Sequence, residues 1–98
     1  MKQIITDGHG YLKITPRQLK AALDKGFVPT HYSFINKNTV LLEEDIDEGN
    51  FLKIMGLLDK KIPVVHQHDI NRNHYNNLCE ELCNYVQHHM FAKNVIGV

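Results

Sequence analysis

The sequence predicts an α+β fold, an antiparallel or mixed sheet of four or five strands with helices packed on it. Three observations lead there: short β-favouring runs that pair around turn residues, two helix starts with recognisable end signals, and a long amphipathic stripe near the C-terminus. The 98 residues are 43% hydrophobic and 22% charged, which suits one globular domain over residues 1–98.

Lys2 to Thr6 and Tyr11 to Ile14 flank Asp7-Gly8-His9-Gly10, whose glycines are expected to supply positive φ in the connection of an opening hairpin. In Thr15-Pro16-Arg17-Gln18 a hydroxyl stands at the N-cap, a proline at the first helical position and a glutamine three residues on. That is a capping box. Leu19, Ala22 and Leu23 continue as an apolar stripe, and Gly26-Phe27 is expected to stop the helix in the left-handed conformation.

A second hairpin is expected from His31 to Ile35 and Thr39 to Glu43 around Asn36-Lys37-Asn38. Acidic residues then open a helix whose stripe is Phe51, Ile54, Met55 and Leu58 and whose last turn carries Lys60 and Lys61, matching the helix dipole at both ends. After Pro63, Val64 to His68 alternates half-polar and reads as a strand at a sheet edge. From about His74 to Met90, Tyr75, Leu78, Cys79, Leu82, Cys83, Val86 and Met90 follow the helical period, with Asn71 or Asn73 as the cap. Ala92 to Val98 reads as a tail or one short strand. The expected order is β-β-α-β-β-α-β-α.

Composition narrows the function classes. Eleven Lys or Arg balance eleven Asp or Glu, so the gross basic excess that drives counterion release from nucleic acid is absent. No apolar run approaches the roughly 20 residues of a membrane span, and the opening residues carry neither an apolar h-region nor a small-residue cleavage site. A cytoplasmic address with no membrane partner is expected. Cys79 and Cys83, four apart on a helical stripe, have poor geometry for a local disulfide and read as reduced packing thiols.

Seven histidines invite a metal reading, because His66-Gln67-His68, Cys79/Cys83 and His88-His89 offer imidazole and thiolate donors. The spacing is wrong for a tight zinc loop, so no metal and no cofactor are assigned, and the histidines are expected to face solvent and to add charge below about pH 6.5. Asp7-Gly8-His9-Gly10 could in principle hold a general acid or base, yet no phosphate loop and no nucleophile with base and orienting acid is legible. Ser33, the single serine, falls inside an expected strand.

Charge is unevenly distributed. Residues 1–42 hold six Lys or Arg against two Asp, and residues 43–98 hold five basic against nine acidic residues. The acidic concentration is Glu43, Glu44, Asp45, Asp47 and Glu48. It reads either as a solvated helix start or as a phosphate-mimicking patch for a basic groove of a host protein complex, one that itself binds nucleic acid. The EF-hand pattern of alternating ligands is absent.

Asp7-Gly8-His9-Gly10-Tyr11-Leu12-Lys13-Ile14, His31-Tyr32-Ser33-Phe34 and Val40-Leu41-Leu42-Glu43-Glu44-Asp45-Ile46-Asp47 with Phe51-Leu52 together resemble a small uncharacterised domain of phage, plasmid and other mobile-element proteins. Its pattern runs G-H-G-[YW]-L-x-V, Y-S-Y, then Y-L-E-E-D-x-D ending in F-[LIV]. The match covers the first half of the chain and departs at Phe34 and Leu41, where the family has tyrosine. The resemblance implies a mobile-element accessory protein and supplies no activity.

Three hypotheses follow. The first is a non-enzymatic interaction module that inhibits a nucleic-acid-targeting defence complex of the host, anti-CRISPR-like, through Glu43, Glu44, Asp45, Asp47 and Glu48. The alternative is a nucleic-acid-binding or regulatory module using the basic first half through Lys13, Arg17 and Lys20. The third, an enzyme built on His9 and Asp7, ranks last. For self-association, either the strand near Val64 to His68 pairs with its twin across a two-fold axis to give a homodimer, or the final helix forms the contact.

Overall fold

The computed structural model describes residues 1–83. Six strands, β1 (Lys2–Ile5), β2 (Gly10–Ile14), β3 (Phe34–Ile35), β4 (Val40–Glu43), β5 (Val64–His66) and β6 (Asn76–Asn77), form a mixed sheet in the order β5-β1-β2-β4-β3-β6. Only β5 runs parallel to its neighbour β1, and the other pairings are antiparallel. The helices are α1 (Pro16–Asp24) and α2 (Asp47–Ile54), with a 3-10 turn at Arg72–His74 and a helical stretch over 78–83. The fold class is therefore α+β as expected, with more strands than expected.

Strand alternation divides the apolar residues between two faces. Leu12, Ile14, Val40 and Leu42 pack with Leu19 and Ala22 of α1, Phe51 of α2, Phe27 and Leu78. Ile4, Tyr11 and Leu41 bury the opposite face with Ile70, flanked by Phe34 and Tyr75. The loop after β5 is thus a second cover for the sheet, opposite the helices.

The α1 capping box forms as the sequence predicts: the Gln18 N–H donates to Thr15 Oγ1 at 3.1 Å and the Thr15 N–H to Gln18 Oε1 at 2.9 Å. Both helices end in a Schellman motif around a glycine at positive φ, Gly26 at 97° and Gly56 at 70°. At the second, the Leu57 N–H reaches Leu52 O and the Gly56 N–H reaches Lys53 O. The expectation of Leu58, Lys60 and Lys61 inside that helix is corrected accordingly. Gly56 ends it first, and the basic residue of its last turn is Lys53.

Three further expectations are revised. Gly8 and Gly10 do not have positive φ. The opening hairpin closes instead through Thr6, whose N–H and Oγ1 both donate to His9 O while Oγ1 accepts from the His9 N–H. The second hairpin is shorter than expected, because residues 30–33 curl around a buried carboxylate rather than extend. The final helix starts at residue 78 instead of 74: Asn76 and Asn77 pair with Ile35 and Phe34, and the Asn77 side chain accepts from the Glu80 N–H at 3.2 Å. Tyr75 is consequently outside the helix, and Val86, Met90, His88, His89 and the 92–98 tail fall outside the described residues.

Candidate functional site

Five carboxylates in six residues cannot all point outward from a strand, a turn and a helix start. Glu43 closes β4 and is buried, Glu44 and Asp45 lie exposed in the turn, Asp47 opens α2 fully buried, and Glu48 is half-buried. The predicted patch therefore separates into an inner pair that holds the turn and an outer pair that solvent reaches.

The inner pair is fully engaged. Asp47 accepts from the Thr30 N–H at 2.9 and 3.0 Å, from Thr30 Oγ1 at 2.9 Å and from Ser33 Oγ. Ser33 Oγ in turn accepts from the Glu43 N–H at 3.0 Å. Glu43 reaches forward, Oε2 accepting from the Asp45 N–H at 2.8 Å and Oε1 from those of Ile46 and Asp47 at 2.6 and 2.9 Å. Ile46 at the N-cap has no side chain to offer α2, so Glu43 performs the capping from the end of β4. Burial acts to raise the Glu43 carboxyl, but the three N–H donors outweigh it and, helped by nearby His9, hold it below its ordinary 4.5.

This network places Glu44, Asp45 and Ile46 on the rim of a 490 Å³ cleft. Its other walls come from His9, Gly10 and Tyr11 on one side and from His31, Tyr32 and Phe34 on the other, with Arg72 closing it from the loop over the sheet. Tyr11 meets the edge of Phe34 at 6.1 Å between ring centroids, and the Arg72 guanidinium lies 5.8 Å from the Phe34 centroid. Burial pushes the Tyr11 phenol above its ordinary 10.0 against the opposing pull of Arg72, so Tyr11 lines the wall as a neutral ring at physiological pH. On the rim Tyr32 is 66% and Ile46 45% exposed. Gly10 matters by its lack of a side chain: a Cβ there would collide with the Glu44 carboxylate.

Glu48 stands apart from this rim, accepting from Gln3 Nε2 at 3.1 Å on both oxygens. Burial, together with the charges of Glu44 and Glu43, raises its carboxyl above the ordinary range despite the Gln3 bond. Lys13, Arg17 and Lys20 are all exposed. Lys13 alternates with Leu12 and Ile14 and so faces away from the side of the sheet that α1 covers, whereas Arg17 and Lys20 ride on α1. The sheet lies between them.

His9, His31, His66, His68 and His74 are exposed, and His68 Nδ1 meets Asp7 Oδ2 at 2.6 Å on the surface. Among the described residues no three His, Cys, Asp or Glu side chains converge as a metal site. Both cysteines are free thiols. Cys79 donates to Pro29 O at 3.1 Å, and burial foremost pushes its thiol up. Cys83, expected in the core, is exposed. No described helix is long and apolar enough to cross a membrane.

Sequence reasoning found the outer carboxylates and assigned no role to Tyr32, Ile46 or Arg72. An isoleucine inside an acidic run was the available signal for the apolar component of the rim. Arg72 has none, because it arrives from the loop across the sheet. Compared with protein families, curated proteins and solved structures, the chain has no match.

Proposed function

We propose that this protein is a small interaction module of mobile-element type that inhibits a nucleic-acid-targeting complex of the host by seating the rim of Glu44, Asp45, Tyr32 and Ile46 in a basic groove of that complex. The observation that carries the reading is the convergence of three segments distant in sequence, 9–11, 31–34 and 43–46, on one cleft. These are also the segments in which the chain resembles the mobile-element domain.

The chemistry of the rim fits a groove built for nucleic acid. Two carboxylates in consecutive residues can take the place of backbone phosphates toward lysine or arginine. Tyr32 offers an aromatic face where such a groove stacks a base or where an arginine plane rests. Glu43 and Asp47 contribute indirectly, fixing the turn so that the outer carboxylates need no ordering on binding.

The test is capture of partners from host lysate by the tagged protein, with and without nuclease, in low and high salt. A stoichiometric protein that survives nuclease and is released by salt is the expected result. Recovery of nucleic acid alone, lost on nuclease treatment, would replace this reading with nucleic-acid binding by the basic first half, through Arg17 and Lys20 on α1, with Lys13 on the opposite face of the sheet.

A further inference from the structure

We infer that β5 is a homodimerisation edge, at which two copies pair antiparallel about a two-fold axis at Val65 and join their sheets. The inference is independent of the cleft, which is built from other elements.

The geometry of β5 carries it. The Gln3 N–H donates to Pro63 O and the Gln67 N–H to Ile5 O, in the parallel register that sets Gln3, Ile4 and Ile5 beside Val64, Val65 and His66. Residues 63, 65 and 67 thus face β1, and the N–H and C=O groups of Val64 and His66 point away from the sheet. Among the described residues no backbone or side-chain group takes them up. A strand parallel to its neighbour is ordinarily covered on both faces, yet Val64 is 47% and Val65 38% exposed, with Ile5 beside them on β1 also exposed. The strand carries no lysine, proline or bulge that would block edge pairing.

Charge selects a second copy, and selects its direction. Lys60 and Lys61 precede β5 and Lys2 opens the adjacent β1, offset in part by Asp59. The other end carries Asp69 and the Asp7 that pairs with His68. Antiparallel pairing of two identical edges puts the lysine end of each copy against the aspartate end of the other, whereas parallel pairing would oppose like charges. Centring the register on Val65 matches Val64 with His66 of the other copy, both with outward N–H and C=O groups. It leaves the two Val65 side chains opposed in a non-hydrogen-bonded pair.

Sedimentation velocity of the full chain over a range of concentration and salt tests this, alongside His66→Pro, Lys60→Glu/Lys61→Glu and, with Cys79 and Cys83 changed to serine, Val65→Cys. His66→Pro removes an outward donor and leaves the bonds to β1 intact, and circular dichroism checks its fold. The expected results are a monomer–dimer equilibrium weakened by salt and weakened roughly tenfold or more by His66→Pro. The double lysine variant should weaken it as well, and Val65→Cys should give a disulfide-linked dimer when oxidised by dissolved oxygen with a copper catalyst, since a non-hydrogen-bonded pair has the required Cα separation. A monomer at every concentration overturns the inference. So does a dimer indifferent to His66→Pro and the lysine reversals, or one in which Val65→Cys does not cross-link.

Discussion

Ser33 Oγ donates to Asp47 Oδ2, joining the segment before β3 to the first turn of α2, and the same oxygen accepts from the Glu43 N–H. A single hydroxyl thereby ties the Asp47 carboxylate to the backbone of Glu43 at the end of β4. The outer carboxylates take their position from this arrangement.

Loss of the inner anion should be costly. Asp47→Ala removes the acceptor of the half-buried Thr30 N–H and hydroxyl and of the fully buried Ser33 hydroxyl. A loss of about 3 kcal/mol is expected in urea unfolding, with Ser33→Ala costing about 2 kcal/mol. Wild-type stability in both variants would show that the network is dispensable.

Glu43 links stability to pH. Its carboxyl is held below the ordinary 4.5 in the folded protein, so its contribution is complete above the unfolded value and is lost as pH falls through the folded one. Glu43→Gln should therefore lower stability at neutral pH and flatten the decline of melting temperature on acidification below 4.5. An unchanged acid profile would place the pH dependence elsewhere.

Glu48 runs the opposite way. Its folded carboxyl is raised, chiefly by burial, so the ionised form destabilises the fold at neutral pH and the penalty fades as pH falls through the raised value. Glu48→Gln, which keeps an acceptor for Gln3, should raise the melting temperature at neutral pH and lose that advantage in acid. A lower melting temperature at neutral pH would contradict the assignment.

Much of this organisation was legible in the chain, and the remainder was not for identifiable reasons. Thr15, Pro16 and Gln18 specify the start of α1 locally, and Gly26 specifies its end, so short-range signals suffice there. The division of the acidic run was hidden because the burial of Asp47 depends on Thr30 and Ser33, contacts 17 and 14 residues distant. The late start of the last helix was hidden for a similar reason. Asn76 and Asn77 form strand only because β3 presents a free edge to them. The helical period of Tyr75 and Leu78 extends through that point without marking it.

Gly10 offers a test that separates the rim from the fold. Its φ is not in the left-handed region, so Gly10→Ala is tolerated by the backbone, and the new Cβ displaces the Glu44 carboxylate. Stability should change by less than about 1 kcal/mol, while partner binding weakens. Equal loss of both would mean that the glycine serves the fold alone.

The most direct measurement is the affinity of the captured partner for wild-type protein and for Glu44→Gln/Asp45→Asn, titrated at several salt concentrations. Both residues are exposed, so the variant keeps the fold. The account predicts an affinity at least about tenfold lower and a shallower dependence on salt. Equal affinity with an unchanged salt dependence would contradict it.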